Sequence, residues 1–279
     1  MKQKALVVEG GGMRGVFAAG VLDSFLLNNL KDFDFCLGVS AGSTNLSSWM
    51  SNQLKRSYRV IVDYSCRPDF INKKRAFTGG SMMDLDWLWD ITLKEIPYDF
   101  DTFSKQECTF YIVVTPEDTG IAEYIRADKD NLIQLLKGSC ALPLAYRGQA
   151  LYNNRRMFDG GVADPIPVKK AYEMGARNIT VVLSQKAGYR KKKSKLSKPL
   201  SKIIYRSEGI RNAMNIRDEV YNESLDFINN PPSDCTIHTI APSDDFDVSR
   251  MTIDINKLEA GYSIGLEAGK AYKESLSLI

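Results

Sequence analysis

The sequence predicts an α/β fold, a three-layer sandwich with a mostly parallel central sheet, and three observations predict it. Ala5 to Val8 is a short apolar run that breaks at Gly10-Gly11-Gly12-Met13-Arg14-Gly15 and gives way to helical apolar spacing from Val16 to Leu27. A second such unit follows, with Phe33 to Val39 as a strand, a turn at Ser40, and a helix from Ala41 to about Leu54. Further apolar runs at Thr109 to Thr115, Ile179 to Leu183 and Thr236 to Ala241 read as strands. Strands alternating with helices are the pattern of a parallel sheet covered on both faces.

Composition narrows the class. With 279 residues, 44% apolar and 25% charged, the chain can bury a substantial core. The formal charge of +3 is small and dispersed, which argues against a nucleic-acid partner. Five cysteines, Cys36, Cys66, Cys108, Cys140 and Cys235, form no C-x-x-C pair and are odd in number, which reads as a reducing compartment. Ala5 to Val8 is too short for a signal-peptide core, and no apolar stretch reaches the length of a membrane span. The expectation is a cytoplasmic protein whose contact with lipid is at most peripheral. Arg190 to Lys198 carries six basic residues without apolar periodicity, and two readings of it stay open. It is a solvated loop, or it docks on anionic lipid at about 1 kcal/mol per near-surface charge.

Gly38-Val39-Ser40-Ala41-Gly42 fits G-x-S-x-G, in which a serine sits on a sharp turn from strand to helix and small neighbours relieve the crowding. The helix start offers free N–H groups and the positive end of a dipole to a developing oxyanion. The pentapeptide alone is weak, since a serine helix cap flanked by glycines has the same string. Its setting, an apolar strand before and a helical segment after, gives it weight.

Gly10, Gly11 and Gly12 can converge their N–H groups on one point, as an oxyanion hole requires. Arg14 places a cation at a helix N-terminus, where the dipole disfavours it, so a substrate or loop anion is the expected contact, against the alternative of a side chain turned to solvent. Gly10, Gly12 and Gly15 also satisfy G-x-G-x-x-G, which keeps a nucleotide-binding module open. That reading needs an acid at the far end of the second strand, where Ser40 stands instead; Asp32 and Asp34 lie at its near end.

A serine hydroxyl needs a base within hydrogen-bond reach. The single histidine, His238, lies inside the alternating run Thr236-Ile237-His238-Thr239-Ile240, where a half-buried structural role is expected. A Ser40, Asp159, His238 triad in α/β-hydrolase order nevertheless stays open. Without histidine the base must be a carboxylate. Asp159-Gly160-Gly161, a glycine turn after Met157-Phe158, is the best-placed candidate, against the alternative of an aspartate in a plain turn.

Together these residues resemble the patatin-like phospholipase family. Glu9 to Gly15 is similar to its glycine-rich oxyanion loop, Gly38 to Gly42 to its nucleophile elbow, and Asp159-Gly160-Gly161 to its D-G-[GA] motif. Ser139-Cys140-Ala141-Leu142-Pro143 is similar to its small-residue helix that ends at a proline. The resemblance covers Lys4 to Ser184; one departure is Glu9, where many members carry Asp. Residues 186–279 read from their pattern as the basic loop, one strand at about 236–241 and a helix from Asn256 to about Leu276, while the resemblance implies a patatin-like catalytic core over residues 1–185. It also implies a Ser40–Asp159 dyad without histidine, an oxyanion held by the N–H groups around Gly10, Gly11 and Gly12, a lipid or other ester as substrate, and no metal or cofactor.

Between the second helix and the third strand, Ser81 to Trp89 gathers Met82, Met83, Trp87 and Trp89. Such residues can wall an acyl pocket, but Met83, Trp87 and Ile91 fall near helical spacing, and ordinary core is the expectation.

Overall fold

The computed structural model describes residues 3–72, 74–75, 78–193, 202 and 204–276. Among these, eight strands form one sheet in the order β5-β6-β3-β2-β1-β7-β8, with β4 paired to β3. β1 (Gln3–Val8), β2 (Phe35–Val39), β3 (Thr109–Pro116), β7 (Ala176–Val182) and β8 (Thr236–Ile240) run parallel. β4 (Glu123–Arg126), β5 (Leu151–Tyr152) and β6 (Arg155–Asp159) add antiparallel pairings at the β3 side.

β1 explains why the parallel strands read as continuous apolar runs. Leu6 and Val8 face one core cluster, and Ala5 and Val7 face the other, so both sides of the pleat are buried. Over the first face lie α1 (Gly15–Leu27), α2 (Ala41–Met50), α4 (Leu85–Glu95) and the last helix, α9 (Ile255–Leu276), with the short α3 (Arg56–Arg59) continuing as a π turn over Val60–Tyr64. The helices α5 (Phe100–Ser104) and α6 (Leu132–Cys140) complete that side. The second face is covered by α7 (Val168–Glu173) and α8 (Glu208–Asn229).

Helix α1 is buried from Gly15 to Phe25 because it lies between the sheet and α9. The two helices meet backbone to backbone. A Cβ on Gly20 would stand 2.2 Å from the Tyr262 carbonyl oxygen, and one on Gly265 would stand 2.1 Å from that of Phe17. At the same seam the Tyr262 hydroxyl donates to the Asp23 carboxylate at 2.7 Å.

Three features depart from the sequence expectations. The pattern assigns no element to residues 208–229, yet α8 runs for 22 residues, burying Ile210, Ala213, Tyr221, Leu225 and Ile228. The β5–β6 hairpin is also unanticipated, although Asn153 and Asn154, both at positive φ (49° and 60°), are the residue type a two-residue hairpin turn selects. The basic run is only partly a solvated loop. Arg190 pairs with Asp226, Lys193 with Glu219, and the Lys191 backbone exchanges hydrogen bonds with Asn222, all on α8. Residues 194–198 of that run lie outside the described residues.

Candidate active site

The parallel register brings the ends of β1 and β2 side by side, with Val8 opposite Gly38, so the glycine loop and the serine turn share one edge of the sheet. Ser40 adopts φ 53° and ψ −126° between β2 and α2, a conformation that costs a non-glycine residue on the order of 1–3 kcal/mol. The flanking glycines are required by space. A Cβ on Gly38 would meet Ser43 Cα at 2.6 Å, and one on Gly42 would meet the Val8 carbonyl oxygen at 2.4 Å. The turn is held by Ser139, whose Oγ accepts from the Ser40 N–H at 2.8 Å and donates to the Val113 carbonyl at 2.7 Å. Ser43 Oγ donates to the Ser40 carbonyl at 2.6 Å.

Asp159 ends β6, buried at 2% exposure, and lines one cavity with Ser40. Its backbone is fixed on both sides, the N–H donating to Ala141 O at 3.0 Å and the carbonyl accepting from Thr115 Oγ1 at 2.9 Å. The Gly161 N–H donates to Oδ1 at 2.8 Å. Burial pushes the Asp159 carboxyl above its ordinary range, opposed by the Ser40 hydrogen bond, the Arg217 charge and the Gly161 N–H. Burial and the Asp159 charge also hold the neighbouring Cys140 thiol neutral.

Gly10, Gly11 and Gly12 line the same small cavity as Ser40 and Asp159. No described residue accepts a hydrogen bond from their N–H groups, whereas the next, that of Met13, donates to Arg250 O at 3.2 Å. The loop is braced from below by Glu9, 1% exposed, whose carboxylate accepts from the Ser184 N–H at 2.6 Å and the Tyr221 hydroxyl at 3.1 Å. Burial raises the Glu9 carboxyl, against those hydrogen bonds and the charge of Arg14. Arg14 does not reach the cavity that holds Ser40; it is buried, with Nη2 on Ser184 Oγ at 3.1 Å and Glu9 as its compensating anion. Of the two expected contacts the fold supplies the loop anion, and the cations that line the Ser40 cavity are other residues.

Those cations come from the C-terminal part, which sequence reasoning did not place at the site. Arg217 of α8 donates from Nε to the Gly161 carbonyl, and both Arg217 and Arg250 line the cavity of Ser40 and Asp159. Burial and the Arg250 charge lower Arg217 from its usual range. Lys191, half-buried with its Nζ enclosed, is pushed down to about 7 by burial and by Arg217 and Arg250. His238 is far from this centre. On β8 it stands in register with Thr180, three strand spacings or about 14 Å from β2, with its ring 6.0 Å from that of Tyr272. The triad is thereby corrected: the mid-strand histidine belongs to the sheet edge.

Ser40 sits where two cavities meet. The second extends along α2 and is walled by apolar groups including Met13, Ile61, Phe70, Leu85 and Leu88. Met83 and Trp89 also line it, so the segment expected to be core is divided, with Trp87 and Ile91 packing against the core beside it.

A strained serine turn at the edge of a mostly parallel sheet, facing a buried aspartate beneath a glycine loop, defines an α/β protein with a nucleophile-elbow architecture. Within that class the chain belongs to the patatin-like phospholipase family, whose family model matches residues 6–172. Membership supports lipid acyl hydrolysis in general terms. A second model, described only as a domain of unknown function (DUF6363), matches residues 208–278. A curated relative, the uncharacterized protein YjjU of Escherichia coli (strain K12), is 37% identical over 181 residues, covering 64% of this chain and 51% of its own. The chain thus spans about half the length of that relative. The crystal structure of VipD from Legionella pneumophila is similar over 97% of this chain and 67% of its own, at 13% identity and a TM-score of 0.43.

Proposed function

We propose that this chain is a serine lipid acyl hydrolase that cleaves carboxylic esters through a Ser40–Asp159 dyad and an acyl-enzyme. The observation that carries the reading is Ser40 at positive φ, at the junction of two cavities, one of them shared with a buried Asp159 carboxylate whose affinity for a proton is raised. Asp159 takes the Oγ proton as Ser40 attacks the ester carbonyl, and the N–H groups of Gly10, Gly11 and Gly12 receive the oxyanion. The tetrahedral adduct collapses, the alkoxide leaves with the proton from Asp159, and the acyl group remains on Oγ. Water then gives its proton to Asp159 as it attacks the acyl carbonyl; Oγ departs, takes that proton back, and a fatty acid is released.

The acyl chain enters the cavity along α2, while Arg217 and Arg250 suit an anionic headgroup on the other side. Residues 1–185 form the catalytic core in this reading, and 186–279 complete the site. No described helix is long and apolar enough to cross a membrane. In this reading contact with lipid is peripheral, in a cytoplasmic protein, with Lys192 among the exposed charges facing an anionic surface.

The test is labelling of Ser40 by a fluorophosphonate, with p-nitrophenyl ester turnover falling by about 10³-fold or more in Ser40→Ala and Asp159→Asn. Undiminished turnover in both variants overturns the proposal. His238→Gln is expected to stay near wild type.

A further inference from the structure

The cavity along α2 is lined mostly by apolar groups but carries a cluster of polar ones at its far end. Ala41, Thr44, Asn45 and Ser48 follow one face of α2 along it, and Ser48 lies about 12 Å from Ser40 at 1.5 Å per residue. There Arg56, only 5% exposed, donates from Nη1 to Ser48 Oγ at 3.4 Å and from Nε to the Ile96 carbonyl at 3.0 Å. Its guanidinium lies 3.4 Å from the centroid of the Tyr98 ring. Neither a carbonyl nor an aromatic face cancels a full charge, and no described carboxylate pairs with it.

Three buried donors on this cavity have no partner among the described residues: Arg56 Nη2, Ser57 Oγ and Trp89 Nε1. A wall that only had to hold methylenes would need none of them, because an apolar chain leaves each donor unsatisfied. A buried guanidinium with an open edge, flanked by a hydroxyl and an indole N–H, is instead matched to an oxyanion.

We propose that the cavity is built for acyl chains that end in a carboxylate, the terminal oxygens accepting from Arg56, Ser57 and Trp89 while the ester end lies at Ser40. An extended chain advances about 1.2 Å per bond, so about 12 Å corresponds to roughly ten bonds and an acyl group of about eight to ten carbons. The inference rests on the hydrolase reading for the ester end only; the far-end site is a matter of binding and is tested without turnover.

The Ser40→Ala protein is titrated calorimetrically with monomethyl decanedioate and with methyl decanoate, which differ only in the terminal carboxylate. The expected result is at least about tenfold tighter binding of the first, with the preference lost on adding Arg56→Met and narrowed several-fold on adding Ser57→Ala and Trp89→Phe together. The second combination carries the test if Arg56→Met fails to fold, as judged by its thermal transition. Equal affinity for the two ligands overturns the proposal, and so does an unchanged preference in a folded variant lacking these donors. Turnover of p-nitrophenyl decanoate by the wild-type protein reports on the hydrolase reading alone, so the two can fail separately.

Discussion

Two regions of this molecule use glycine for the same physical purpose and to opposite ends. At the α1–α9 seam, Gly20 and Gly265 let two helices approach until backbone oxygens occupy the space of a missing methyl group. At the sheet edge, Gly10, Gly12 and Gly42 let a loop and a helix start crowd around Ser40, with backbone oxygens of Val39, Arg250 and Val8 in the equivalent places. The seam converts close approach into packing over a long interface. The loop leaves backbone N–H groups without a partner among the described residues beside a strained serine, an arrangement that in the proposed reading is unfavourable until an oxyanion arrives. One region stabilises the fold; the other, on the proposed reading, holds part of that stability in reserve for chemistry.

Substitutions should separate them. Gly265→Ala puts a methyl group 2.1 Å from a carbonyl oxygen that cannot move without the helix. A loss of about 3 kcal/mol is expected, lowering Tm by roughly 6–12 °C, with activity per folded molecule retained. A Tm within two or three degrees of wild type, measured by calorimetry, would show that the helices part at little cost. Gly12→Ala should do the reverse. Its φ of +57° and the Arg250 carbonyl 2.8 Å from the new Cβ distort the loop, so kcat falls by about 10²-fold while stability changes by about 1 kcal/mol. Loss of stability in proportion to activity would erase the distinction.

Arg217→Met should have the smallest effect, and it is read in the pH profile. The Arg217 charge lowers Asp159, partly opposing burial, so its removal raises that carboxyl further. The base must be ionised, and the acid limb of kcat/KM is expected to move to higher pH, with a greater loss at pH 5 than at pH 8. Arg217→Lys should restore part of the shift. An acid limb that stays in place would assign Arg217 to holding the Gly161 carbonyl and nothing more.

The parts legible in the sequence are those fixed by local rules. β1 and β2 are buried on both faces, so their apolar runs are continuous, and the turns after them are punctuated by glycine. Those rules also brought Ser40, Asp159 and the glycine loop into view separately, and the fold lines them around one cavity. What stayed hidden depends on distant packing. Helix α8 buries Asp218 and Ser224 among its apolar positions and carries Arg217 just before them, which blurs its periodicity. Arg250 reaches the site from a segment with no regular structure, and Lys191, inside a run of basic residues, is half-buried against α8. The unpartnered edge of Arg56 has no signature in sequence at all, because nothing about a lone arginine says which anions the fold withholds from it.

The Met13 N–H rests on the Arg250 carbonyl, and Arg217 rests on the Gly161 carbonyl. On a ribosome, then, order of appearance and order of assembly differ. A growing chain carries the glycine loop, Ser40 and Asp159 well before it carries the two arginines that steady the loop and the aspartate turn. A nascent chain that has emerged only as far as Asp159 holds the residues of the proposed site without the contacts that align them.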